Sequence, residues 1–206
     1  MTTTSGTAEH WDEAYGHGDT TRSWFQHRAV VSLRMLDTAG VSPADSVIDV
    51  GGGASTLIDA LVQRGHRDLT VLDLSAVGLR TAQERLGAAG EHVRWLLANV
   101  LTWEPERTYR VWHDRAVVHF LTTDASRQQY LHALNTATAP GAVAIIATFA
   151  PEGPKHCSGL PVDRYSTKEL VTLLGECWVI VASEREDHAT PSEAIQPFTW
   201  IACRRQ

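Results

Sequence analysis

The sequence predicts an α/β fold: a doubly wound, mainly parallel sheet covered by helices on both faces. Three observations predict it. From residue 46 onward, short apolar runs alternate with segments of helical period. A glycine-rich turn joins the first run to a helix, and the final third changes to two runs joined by a polar loop. At 206 residues the chain suits one domain with a full core, read here as a lid segment (1–26) on a core (27–206).

Each element has its own signal. Residues 1–8 are small and polar and are expected to be disordered. An aromatic-rich segment with Trp11, Tyr15, Trp24 and Phe25 follows, interrupted by Gly16 and Gly18. Residues 27–38 carry Val30, Val31, Leu33, Met35 and Leu36 as a helix stopped by Gly40. Strands are expected at 46–50, 69–72, 93–97, 109–112 and 142–149. Between them lie helices at 56–64, ended by Gly65, at 75–86, capped by Ser75, and at 126–138. A helix at 167–174 precedes strands at 179–183 and 198–203, an antiparallel hairpin closing one sheet edge.

Composition excludes several function classes. A net charge of −6 argues against a nucleic-acid partner, which would need a basic face to displace phosphate counterions. Cys157, Cys177 and Cys203 are odd in number and lack paired spacing, so neither a disulfide framework nor a metal site is expected. The N-terminus shows no basic region followed by an apolar run, and the apolar stretch at 141–147 is too short to cross a bilayer. The expectation is a soluble cytoplasmic chain with a small-molecule substrate and no membrane partner; its oligomeric state is open, with a monomer favoured.

The segment from Val47 to Ser55 runs from a strand through Gly51, Gly52 and Gly53 into a helix. Glycine lets the backbone approach a bulky ligand, and the helix start offers free N–H groups. Asp73 follows twenty residues beyond Gly53 at the end of the second strand, where a carboxylate can accept both ribose hydroxyls of a nucleoside. A dinucleotide fingerprint would place a third glycine at position 56, which holds Thr56, and would have no need of Asp49. An acid before the glycine turn suits a cofactor with a cationic amino-acid tail and no pyrophosphate.

These residues resemble the class I S-adenosylmethionine-dependent methyltransferases, from about Trp11 to Arg204. Asp49–Gly53 stands as the first motif and Val71–Ser75 as the second. The resemblance implies a Rossmann-like sheet of seven strands with an antiparallel last strand, and S-adenosyl-L-methionine as cofactor. It implies cofactor contacts from Asp49, the three glycines, Asp73, Leu74 and the Asn99–Val100 pair, Asn99 standing where many members carry an Asp facing the adenine. Trp11, Tyr15 and Trp24 are expected to cover the cofactor as an aromatic lid suited to a sulfonium.

The acceptor side is expected where the fourth strand ends. His113, Asp114, Arg115 and His119 are read as catalytic candidates, because core packing alone does not select such a cluster. The competing reading makes Asp114 and Arg115 a structural pair and lets His119 pack. A second candidate is the turn-rich loop after the fifth strand, with His156 as a catalytic candidate. Cys157 and Tyr165 join Arg115 and His119 as substrate contacts. The expected reaction is in-line methyl transfer to a small nucleophile, a thiol or sulfide preferred. The alternatives are a protein lysine N-methyltransferase, a non-catalytic S-adenosylmethionine-binding module, and an NAD-dependent dehydrogenase.

Overall fold

The computed structural model describes residues 6–16, 18 and 22–206. The expectation of disorder at residues 1–5, and the lid segment's residues 17 and 19–21, lie outside them. The strands are β1 (Val47–Val50), β2 (Leu69–Asp73), β3 (Val93–Leu97), β4 (Tyr109–Arg115), β5 (Thr138–Phe149), β6 (His156–Cys157), β7 (Leu160–Pro161), β8 (Trp178–Ala189) and β9 (Ile195–Arg205). The helices are α1 (Ala8–Gly16), α2 (Val30–Thr38), α3 (Leu57–Gln63), α4 (Ala76–Leu86), α5 (Asp124–Thr136) and α6 (Thr167–Leu174).

Seven strands form one sheet in the order β3-β2-β1-β4-β5-β9-β8. All neighbours pair in parallel up to β5, and β9 then runs antiparallel between β5 and β8. The chain builds outward from β1 to β3 and returns to lay β4 against the other side of β1. That reversal opens a crevice beyond the carboxyl ends of β1 and β4, the place where doubly wound sheets bind ligands.

Alternation along the strands splits the core. Val47 of β1, Val111 of β4 and Ile145 of β5 face α2, α3 and α4 with Met35, Leu57 and Leu61. Ile48, Trp112 and Ile146 face the opposite way, toward α5 and α6 with Tyr130, Leu134 and Leu170. Covered on both faces, β1 is buried along its whole length, hence its apolar residues on both faces, with Asp49 the exception.

Several expectations change in extent, among them the last two strands, which run beyond their expected limits as β8 and β9. β4 continues three residues beyond the expected end, to Arg115, because pairing with β5 reaches Arg115 opposite Ala147. β5 begins at Thr138: Pro140 and Gly141 lie where the register slips between the Tyr109 and Val111 pairs, and Gly141 takes φ 87°. The irregularity accommodates a proline that lacks a ladder donor. α5 starts two residues earlier than expected, because Thr123 and Ser126 form a reciprocal capping box around its first turn.

Candidate active site

A cleft lies at the β1–β4 crevice. Its walls are the turn after β1, the ends of β2 and β4, the segment after β3, and residues from α1 and the stretch 22–26. Gly53 takes φ 41°, and a Cβ there would collide with the Tyr15 hydroxyl, so the turn must remain glycine for α1 to close over it.

Two carboxylates face this turn. Asp49 and His113 are register partners on adjacent strands and point to the same face. His113 Nδ1 donates to Asp49 Oδ1 at 2.7 Å, and His113 Nε2 pairs with the Ser32 hydroxyl at 3.0 Å. Asp49 Oδ2 is buried without a hydrogen-bond partner among the described residues and lies toward Gly52. A buried carboxylate oxygen left open on a cleft is costly unless a ligand donates to it. Asp73 closes β2, with Oδ1 accepting the Ser75 N–H at 2.7 Å. Burial pushes its carboxyl up to about 7 against the pull of the backbone N–H groups.

The remaining cofactor candidates line the same cleft. Leu74, Asn99 and Val100 are there, with Asn99 Oδ1 accepting from the Leu101 N–H at 3.0 Å. So are Trp11, Tyr15 and Trp24. Helix α1 is latched at its Asp12, whose carboxylate accepts from the Ser75 hydroxyl at 2.5 Å and the Val77 N–H at 3.0 Å at the start of α4. The Trp11 ring meets Phe120 edge-on at 5.0 Å, and Tyr15 meets Trp24 at 6.1 Å. The aromatic segment is thus both packed against the core and placed over the cleft.

The acceptor candidates separate. Because β4 runs on through Arg115, strand alternation sends His113 and Arg115 to the cleft and Asp114 to the opposite face. Asp114 is fully buried there and accepts from the N–H groups of Val117 and Val118, at 2.8 and 3.1 Å, and from the Tyr130 hydroxyl at 2.6 Å. The expectation that Asp114 serves at the acceptor site is corrected: it ties the turn after β4 to α5. The backbone bends sharply at Ala116, a non-glycine residue at φ 74°, before a 3₁₀ turn at Val118–Phe120.

His119 sits in that turn, wholly buried and outside the cleft wall. Its ring packs edge-on against Phe120 and Phe149, and burial with the neighbouring Arg115 charge pushes its pKa down to about 3. Of the β6–β7 hairpin, Cys157 lines the cleft, whereas His156, its neighbour on the strand, points outward and is exposed. Tyr165 lies below, its N–H donating to the Phe149 carbonyl and its ring packed against the α5–α6 side of the core. His119, His156 and Tyr165 are therefore not brought to the cleft.

Arg115, like His113 and Cys157, is brought there. Its Nη1 donates to the Trp24 carbonyl at 3.1 Å, and its guanidinium lies 4.7 Å from the centre of the Phe198 ring. Sequence reasoning missed Arg22, Phe25, Gln26, Ser32 and Phe120, which also line the cleft. Phe25 and Arg22 had a signal, being interleaved with the aromatic segment; Ser32 reads in sequence as one more residue of an amphipathic helix.

Residues 47–141 match the family model described as a methyltransferase domain. The chain is 26% identical over 121 residues to the mouse (Mus musculus) eEF1A lysine and N-terminal methyltransferase, covering 58% of this chain and 17% of that protein. The chain therefore spans about 17% of that relative's length. A solved structure reported for the conversion of a disulfide bond into a thioacetal group during echinomycin biosynthesis superposes with a TM-score of 0.75 at 23% identity, over 97% of this chain and 93% of the other. The Burkholderia thailandensis 1,6-didemethyltoxoflavin-N1-methyltransferase superposes with a TM-score of 0.70 at 20% identity, over 86% and 77%.

The shared fold, the matched domain and the two carboxylates around the glycine turn are those of a cleft suited to a nucleoside cofactor. Residues 47–141 thus match a methyltransferase domain, and the chain has the fold of the class I S-adenosylmethionine-dependent methyltransferases that it resembles. Its residues fit that cofactor: Asp73 for ribose hydroxyls, the open Asp49 oxygen for an ammonium, and a glycine turn that tolerates no side chain.

Proposed function

We propose that this chain methylates a small soluble nucleophile, preferably a thiol or sulfide, by in-line displacement. The observation that carries this reading is the placement of the imidazoles around the cleft. His113 is committed on both nitrogens to Asp49 and Ser32, His119 is buried behind the wall and held neutral, and His156 points to solvent. A phenol or ammonium acceptor must lose a proton to a base, whereas a thiol with an ordinary pKa near ~8.5 ionises without one. The solved relative whose reported chemistry converts a disulfide into a thioacetal also acts on sulfur.

Bound S-adenosylmethionine supplies a methyl group already activated on a sulfonium. The protein's part is alignment and exclusion of water. Trp11, Trp24 and Phe120 form an apolar wall, and Arg115 adds a positive charge that favours a thiolate. Cys157 lines the same wall, but burial pushes its thiol up to about 11, so it contributes surface rather than a nucleophile. We read residues 1–26 as the lid of one domain and place the protein in the cytoplasm, a reading supported by three cysteines that form no disulfide.

The test is an acceptor screen with methyl-labelled cofactor, comparing hydrogen sulfide, small thiols, phenols, amines and whole-cell protein. Label in thiols is the expected outcome. Label only in a protein band would replace this reading with a protein lysine methyltransferase, the activity for which the mouse relative is named.

A further inference from the structure

The Arg115 guanidinium is held in place by two contacts yet incompletely used. Nη1 is committed to the Trp24 carbonyl, and the Phe198 ring backs its plane. Nε and Nη2 are buried and have no hydrogen-bond partner among the described residues. The nearby acids do not take them. Glu186 spends one oxygen on Gln26 Nε2 at 2.9 Å and the other on Trp200 Nε1 at 2.8 Å. Asp49 gives one oxygen to His113 and turns the other toward Gly52.

Buried charged donors left open are expensive, so their arrangement is informative. Nε–H and Nη2–H form one edge of the guanidinium and point the same way, spaced for the two oxygens of a single carboxylate. The direction of reach separates acceptor from cofactor. Asp49, Asp73 and Asn99 lie on or just after β1, β2 and β3, to one side of β4, whereas Phe198 lies on β9, two strands away on the other side. The guanidinium therefore leans into the acceptor half of the cleft, beside Cys157. With Glu186 and Asp49 close by, the charge left over suits a monoanion better than a phosphate.

We propose that the methyl acceptor carries a carboxylate, gripped side-on by the Nε–H and Nη2–H of Arg115 while its nucleophilic atom faces the transferable methyl. The acceptor class is then a small mercapto acid. This rests on the methyl-transfer reading above, and the carboxylate grip can be tested apart from the sulfur preference.

The test is equilibrium binding to the full chain saturated with S-adenosylhomocysteine, using 4-mercaptobenzoate, 4-mercaptobenzamide, benzoate and inorganic phosphate as probes. In the native protein each acid should bind at least roughly 10-fold more tightly than the amide, and phosphate should bind more weakly than either acid. In Arg115→Met the acid–amide ratio should collapse, and in Arg115→Lys it should be partly kept. Affinity for S-adenosylhomocysteine and for 5′-methylthioadenosine, which lacks the amino-acid tail, should stay unchanged in both variants. Equal binding of acid and amide to the native protein, or tighter phosphate binding, overturns the proposal. So does a variant that loses S-adenosylhomocysteine affinity but keeps methylthioadenosine affinity, since Arg115 would then read the cofactor's carboxylate. Benzoate binding without methylation of any thiol keeps the grip and removes the sulfur preference, so the two readings fail separately.

Discussion

At the scale of single residues, the two cleft carboxylates should behave differently. Asp49→Asn keeps the shape but removes the charge that would face the cofactor's ammonium. Its affinity for S-adenosylhomocysteine should fall by roughly 10- to 100-fold, and its affinity for 5′-methylthioadenosine should barely change. Calorimetry with the pair checks this, and equal losses would place the Asp49 contact elsewhere. Asp73 carries the pH dependence. Its folded pKa, about 7, lies above the ordinary carboxylate value because burial disfavours the charge. Ribose hydroxyls donate to the ionised form, so cofactor affinity should be full above pH 7 and weaken toward about tenfold per unit as pH falls below it, with proton release on binding. The same shift acts on the free protein in the opposite sense. Between the ordinary carboxylate value and about 7 the folded chain holds a proton the unfolded chain has lost, so this group's contribution to stability declines as pH rises across that window. A binding curve flat from pH 5 to 8 would contradict the ribose assignment.

At the scale of elements, the end of β4 has two functions on two faces. The face toward α2 carries His113 and Arg115 to the cleft. The face toward α5 carries Asp114 into a chain of buried hydrogen bonds: Trp112 Nε1 donates to the Tyr130 hydroxyl at 2.9 Å, and that hydroxyl donates to Asp114. Removing Tyr130's hydroxyl leaves a buried indole N–H and a buried carboxylate short of a partner. Tyr130→Phe should therefore lower stability by about 1–3 kcal/mol in denaturant unfolding, with the affinity for S-adenosylhomocysteine preserved. Asp114→Ala should destabilise the fold more than it slows methyl transfer by the folded fraction. A variant with native stability and no turnover would return Asp114 to the chemistry.

At the scale of the whole molecule, the acceptor half of the cleft is closed by residues distant in sequence. The stretch 22–26 is tied to the last hairpin by Gln26 to Glu186 and by His188 Nε2 to the Ser23 carbonyl at 2.8 Å. Arg115 and the Thr56 hydroxyl hold it from below, through the carbonyls of Trp24 and Gln26. Glu186→Ala would release Gln26 and leave the Trp200 N–H buried without an acceptor. Its KM for the acceptor should rise several-fold, while affinity for S-adenosylhomocysteine should change less. Steady-state kinetics with both substrates varied separates the two effects, and an unchanged acceptor KM would show that the stretch does not form the acceptor wall.

The alternation of apolar runs, the glycine turn and the Asp49–Asp73 spacing were legible in sequence because they are local: each is set by strand or helix period and by the steric freedom of glycine within a few residues. They sufficed for the sheet and for the class of cofactor. The acceptor side was not legible to the same degree. Local apolarity ends β4 at Trp112, and only its pairing with β5 carries the strand to Arg115. That pairing decides which of His113, Asp114 and Arg115 face the cleft. Burial decides the fate of His119, and the long β8–β9 hairpin decides what lies over Arg115. These are contacts between segments up to 165 residues apart, and no window of sequence contains both partners. The sequence by itself therefore determined the sheet and the glycine turn with its two carboxylates, while the surroundings of Arg115 were decided by tertiary packing.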